Sequence, residues 1–198
     1  MKKIIEIYKL EELPVKLEAE EETHKIYYFY HKGSVEKPSI QLILNCKNSL
    51  LELKGALIAD SRDKVTLSTN TIHITGENAA RVHIKTVLSG KSIFSFTGMI
   101  RINKGASLSD SFLQQDNLVV SPDAICNSTP QLEIEDDNVK ASHGVTVGSF
   151  DSSQIFYMKS RGLSEQTARD IISESFLADV YKENSKSVMS KLNIKSLI

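Results

Sequence analysis

The sequence predicts an all-β body followed by a short helical segment. Three observations carry this. Short apolar and β-branched runs recur every ~8–12 residues from about Ile40 to Val147, with little helical periodicity between them. Glycines at Gly55, Gly76, Gly90, Gly98 and Gly105 punctuate the runs. Near Asp151 the pattern switches to helix-start residues and 3.6-residue spacing. The chain divides accordingly: 1–39 as an N-terminal extension or early strands, 40–150 as the β core, and 151–198 as a C-terminal helical region.

In order, Leu13-Pro14-Val15 and Ile26 to Tyr30 read as edge or early strands, separated by the acidic surface turn Glu18 to Glu22. Strand runs follow at Ile40 to Leu44, Leu50 to Leu53, Val65 to Leu67, Thr71 to Thr75, Arg81 to Leu88, Ile93 to Thr97 and Met99 to Ile102. Val82, Ile84 and Leu88 share one face of their run. This spacing fits a sandwich, a barrel or a solenoid, because each buries one face of short strands. No clean sequence repeat is present, so a solenoid would be irregular.

Asp151 is placed to cap a first helix, with Gln154 at the reciprocal position and Gly162 as a left-handed stop. Ser164 is placed to cap a second, with Glu165 in its first turn. Ala168, Ile171, Ile172, Ser175, Phe176, Asp179 and Val180 fall at helical spacing, so one face must bury. A segment this short has no core of its own and must pack on the β body or on a partner.

Composition bounds the function. The 198 residues suit one domain, and a net charge of -1 gives no overall field for nucleic acid or an anionic membrane. The lysines of the tail, Lys182, Lys186, Lys191 and Lys195, are too sparse for a nucleic-acid patch. Glu6 and Lys9 interrupt the early apolar stretch, so neither a signal peptide nor a membrane span is expected. Cys46 and Cys126 lie far apart, which suggests free thiols and a cytoplasmic protein. Cys126 reads as a buried thiol.

No P-loop, GxGxxG, HExxH or GxSxG is present. His73 and His83 read as surface or satisfied histidines, and Asp136-Asp137 as a solvated turn. His143 differs. Gly144 beside it would let backbone approach closely, Ser142 could orient the ring, and a neutral imidazole suits iron or zinc. These residues alone also permit a purely structural histidine.

Three segments then converge: Pro130-Gln131-Leu132-Glu133-Ile134, Asp136 through Val139-Lys140-Ala141-Ser142-His143-Gly144, and Phe156-Tyr157-Met158-Lys159-Ser160-Arg161-Gly162. Together they resemble the SufB/SufD family of iron–sulfur cluster assembly proteins, on the SufD side. The resemblance implies a right-handed parallel β-helix core with a short C-terminal helical segment. It implies a non-enzymatic scaffold that pairs through its β-helix with a SufB-like subunit or as a homodimer, and that docks a SufC-like ATPase. It maps the family's interface histidine onto His143, as a ligand of a transient iron–sulfur cluster shared with a partner subunit. Docking maps onto Tyr157, Arg161, Ala168, Ile172, Phe176 and Val180. The match is uneven, since SufB's cysteine position is Gln115, its glutamate is Gly144, and SufD's cysteine before the histidine is Ala141.

Those losses motivate an alternative, a purely architectural partner of the ATPase that ligates no cluster. A carbohydrate-acting β-helix enzyme is a third class, but no acidic pair stands out on neighbouring strands.

Overall fold

The computed structural model describes residues 2–37 and 39–184; Lys186, Lys191 and Lys195 of the tail lie outside the described residues. Twelve strands run β1 Lys2–Lys9, β2 Lys16–Glu18, β3 Thr23–Lys32, β4 Val35–Glu36, β5 Ile40–Leu44, β6 Leu50–Ala59, β7 Lys64–His73, β8 Ala79–Leu88, β9 Ile93–Ile102, β10 Asp110–Val119, β11 Ile125–Ile134 and β12 Lys140–Gly148. Helices α1 Ser152–Ser160 and α2 Glu165–Ala178 follow, and a 3-10 stretch Asp179–Asn184 ends the described chain.

The chain alternates between two sheets, ordered β1-β3-β6-β8-β10-β12 and β11-β9-β7-β5-β2, and every pairing is parallel. Each strand therefore stacks on the one a full turn earlier, which makes a parallel β-helix and selects the solenoid among the three all-β options. Residues 2–36 contribute β1 to β4 to the same two sheets.

Register explains the core. In-register parallel partners point their side chains to the same face. Leu53, Val82 and Leu113 thus form one inward column, and Leu67 and Phe96 another across the interior. Two expected breaks are not breaks: β6 runs through Gly55 and β9 through Gly98. A Cβ on Gly55 would lie 2.0 Å from the Phe29 ring, and one on Gly98 2.4 Å from Leu113 Cδ1. These glycines make room for large inward neighbours rather than ending strands. Likewise Val65 to Leu67 and the run beginning at Thr71 are one strand, β7.

The helical segment packs on the outer face of the first sheet. Leu177, Val180 and Tyr181 join Ile26, Tyr28, Ala56, Ile58, Val87 and Leu118 in a second apolar cluster. Tyr181 Oη donates to the Phe29 carbonyl at 2.8 Å, and Lys85 pairs with Asp179 at 2.6 Å while lying over the Phe176 ring. Asp151 caps α1 by accepting from Ser153 N, Ser164 caps α2 by accepting from Thr167 N, and Gly162 takes φ +90 between them. Among the described residues no helix is long and apolar enough to cross a membrane.

Candidate functional site at the open end of the solenoid

β12 is the last strand of its sheet, so its outer edge has no neighbour among the described residues. His143 sits in β12 in register with Leu113, which continues the inward column Leu53–Val82–Leu113. With no further turn stacked on it, an inward residue here is exposed. The His143 side chain has no hydrogen-bond or ion-pair partner among the described residues. Ser142 alternates to the opposite face, in register with Phe112, so it does not orient the ring. Close approach at Gly144 comes from a side chain rather than backbone: a Cβ there would lie 2.5 Å from Gln114 Oε1.

Residues mapped to the family's missing cysteines share the inward face near the same end. Ala141 is half-buried, two positions before His143, and Gln115 is fully buried in register with Val145. Gln115 belongs to a buried polar chain. Ser128 Oγ donates to Gln115 Oε1 at 2.5 Å, and Gln115 Nε2 donates to Asn117 Oδ1 at 2.7 Å. Asn117 Nδ2 donates to the Thr146 carbonyl at 3.0 Å. Cys126 is half-buried beside Ser128, at 3.8 Å. Burial pushes its thiol up, only partly offset by Ser128, so it is a thiol and not a thiolate at neutral pH.

On the outer face, Asp116 accepts from Thr146 Oγ1 at 2.7 Å and Gln114 Nε2 at 2.5 Å, and pairs with His83 Nε2 at 2.9 Å. Burial raises the Asp116 carboxyl, but the bonds from Thr146, His83 and Gln114 outweigh it and hold the group below the usual carboxylate range. Sequence reasoning missed this network. Its signal was the run Gln114-Gln115-Asp116-Asn117, four polar residues where a strand of this core should alternate.

Among the described residues no three of His, Cys, Asp and Glu gather as a metal-holding group. His143 is an exposed imidazole that belongs to no such group. His73 is satisfied on one side only: Nδ1 meets Asn78 Oδ1 at 2.6 Å, and the buried Nε2 has no partner.

The docking residues separate into two groups. Ala168 and Val180 are buried within this chain, whereas Tyr157 is 58% exposed and its neighbour Phe156 75%. Arg161 stacks on the Tyr157 ring with its guanidinium carbon 5.2 Å from the centroid, rather than pairing with an acid. Ile172 and Phe176 are half-buried. Sequence periodicity missed Leu177 and Tyr181, both buried against the sheet beside Val180.

Residues 6–176 match the family model described as SUF system FeS cluster assembly, SufBD core domain. The chain is 34% identical over 162 residues to the iron-sulfur cluster assembly protein SufD of Escherichia coli, covering 82% of this chain and 38% of that protein. An iron-sulfur cluster assembly SufBD family protein of Synechocystis sp. is 28% identical over 137 residues, covering 67% of this chain and 28% of that protein. One of Mycobacterium leprae is 30% identical over 122 residues, covering 62% of this chain and 14% of that protein. The chain therefore spans well under half the length of these relatives.

Proposed function

This chain belongs to the SufBD core family of the SUF iron–sulfur assembly system, and from that premise we propose that it is a non-enzymatic, SufD-like scaffold subunit acting in the cytoplasm. The observation that carries the proposal is His143: an inward-column residue on the last turn, exposed and without a hydrogen-bond partner, beside an open strand edge. A neutral imidazole is a suitable donor to iron. The cargo is a nascent iron–sulfur cluster, and His143 supplies one ligand while a sister subunit supplies the thiolates that Gln115 and Ala141 lack. A SufB-like subunit, or a second copy of this chain, pairs along the edge of β12. An unpaired parallel edge presents a row of backbone donors and acceptors suited to strand addition.

The α1–α2 hairpin is the docking site for a SufC-like ATPase. Tyr157, Arg161 and Ile172 face that partner, while Phe176 and Val180 hold the hairpin on the sheet and Ala168 is buried within this chain. A purely architectural role, with docking but no ligation, is the alternative.

Both are tested by affinity purification from native lysate, with iron and acid-labile sulfide measured on the complex. We expect His143→Ala to lose the iron and sulfide while retaining the ATPase and sister subunit. Tyr157→Asp should lose the ATPase. Iron and sulfide unchanged in His143→Ala would sink the ligand role and leave the architectural one.

A further inference from the structure

We propose that Asp116 and Asn117 clamp Thr146 from opposite faces of the sheet, and that this clamp fixes the open edge strand β12 and so positions His143 for the partner. The inference rests on the scaffold reading above for its functional half only.

An edge strand is held by one ladder instead of two, so its outer backbone is the part most prone to fray. Among the described residues β12 has only β10 as a strand partner, yet its distal half is fastened by side chains as well. On the outer face the Thr146 hydroxyl donates to Asp116 Oδ1 at 2.7 Å. On the inner face Asn117 Nδ2 donates to the Thr146 carbonyl at 3.0 Å. Adjacent residues of one strand point to opposite faces, so the pair grips a single residue of its neighbour from both sides.

Each jaw is itself held. Asp116 is tied back to β8 through His83 and braced by Gln114 on its own strand. Asn117 is held by Gln115, which is held in turn by Ser128 of the facing sheet. The outer jaw also accounts for glycine at position 144. Gln114 reaches Asp116 with its amide lying over Gly144, and a Cβ there would meet Gln114 Oε1 at 2.5 Å. Alanine would displace a flexible side chain, not backbone, so its effect would fall on the clamp and not on the fold. The dipeptide His143-Gly144 thus pairs a ligand with the space its support needs. Thr146 lies three residues beyond His143, which places the anchor within one short stretch of the donor.

The test compares hydrogen exchange of the amides of residues 140–148 with those of β8 in the full chain, alongside iron in the purified complex. Asp116→Leu risks misfolding, so the informative variant is Thr146→Val, at an exposed position. Loss of a hydrogen bond to a charged group should speed exchange in 140–148 by about tenfold while β8 is unchanged. Iron recovered with the complex should fall as well, and Thr146→Ser, which keeps the hydroxyl, should restore both. Exchange in Thr146→Val equal to the unaltered chain overturns the clamp. Faster exchange with iron unchanged overturns its positioning role. His143→Ala separates the two readings: it should lose iron with exchange in 140–148 unchanged, and iron retained there would fault the ligand assignment, not the clamp.

Discussion

Both ends of the solenoid finish on a strand whose outer edge is unpaired among the described residues, β1 at one end and β12 at the other, but the first turn is filled by buried leucines while inward apolar residues of the last turn stay in water. Leu10, Leu13 and Leu17 follow β1 and bury completely or nearly so. His31 bridges Glu11 and the Gly33 carbonyl, and Lys37 donates to the Leu13 carbonyl, tying the closing turn down. Polar residues on the first strands are paired: Tyr8 donates to Glu6 at 2.6 Å and Lys25 pairs with Glu20 at 2.5 Å. At the other end Val147 is 59% exposed, Leu132 and Ile134 are exposed, and His143 is unpaired. A solenoid end that keeps apolar inward residues in water calls for a cover. Beside β1 the buried Leu10, Leu13 and Leu17 fill the turn from the chain's own sequence, and under the pairing proposed above a second chain does so beside β12.

The largest effect should come from emptying the filled first turn. Leu10→Ala removes a fully buried side chain from the first turn and should cost about 2–5 kcal/mol in denaturant unfolding. If Leu10→Ala proved no more costly than truncation at the open end, the contrast between the ends would fail.

Much of this was legible in the sequence, and the misses share a cause. Helix caps at Asp151 and Ser164 and the stop at Gly162 are local, and they stand where local chemistry put them. Gly55 and Gly98 misled because glycine reads as a turn locally, while here it answers the Phe29 ring of the neighbouring turn and a Leu113 methyl from the facing sheet. The same holds at the site. His143 stands out in the sequence by its neighbours, but its inward register and its opposite face from Ser142 depend on pairing with β10. The Asp116 network joins residues 30 apart or more, through Thr146 and His83, and no spacing within the run reveals those partners. Similarly, Tyr181 reaches the Phe29 carbonyl across 152 residues.

A smaller effect distinguishes the dry body from the wet end. Burial pushes the His73 imidazole below its ordinary value of 6.5, with the Asn78 bond only partly opposing it. The folded chain thus keeps His73 neutral while the unfolded chain takes up a proton as pH falls. Its contribution to stability is complete above about pH 6.5 and declines as pH drops below that, until the folded form also protonates. Unfolding midpoints measured between about pH 7.5 and 5 should fall on acidification, and His73→Gln should flatten that slope. A slope unchanged in His73→Gln would overturn the assignment of the acid sensitivity to this buried imidazole.

The smallest effect is expected at the open end itself, and its size depends on what is measured. Val147 is an inward-column residue, in register with Asn117, that nothing among the described residues covers. Val147→Ala removes little surface that is out of water, so the isolated chain should lose less than about 0.5 kcal/mol. In a paired assembly the same side chain would lie under the partner's strand, and its truncation should weaken association by several-fold, measurable by sedimentation equilibrium of the purified complex. A substitution silent in unfolding and costly in pairing is the behaviour of a core residue whose second wall belongs to another molecule. If Val147→Ala were silent in both, the cover over the last turn would have to lie elsewhere, and the exposed row Leu132 and Ile134 on the facing sheet would be the next place to cut.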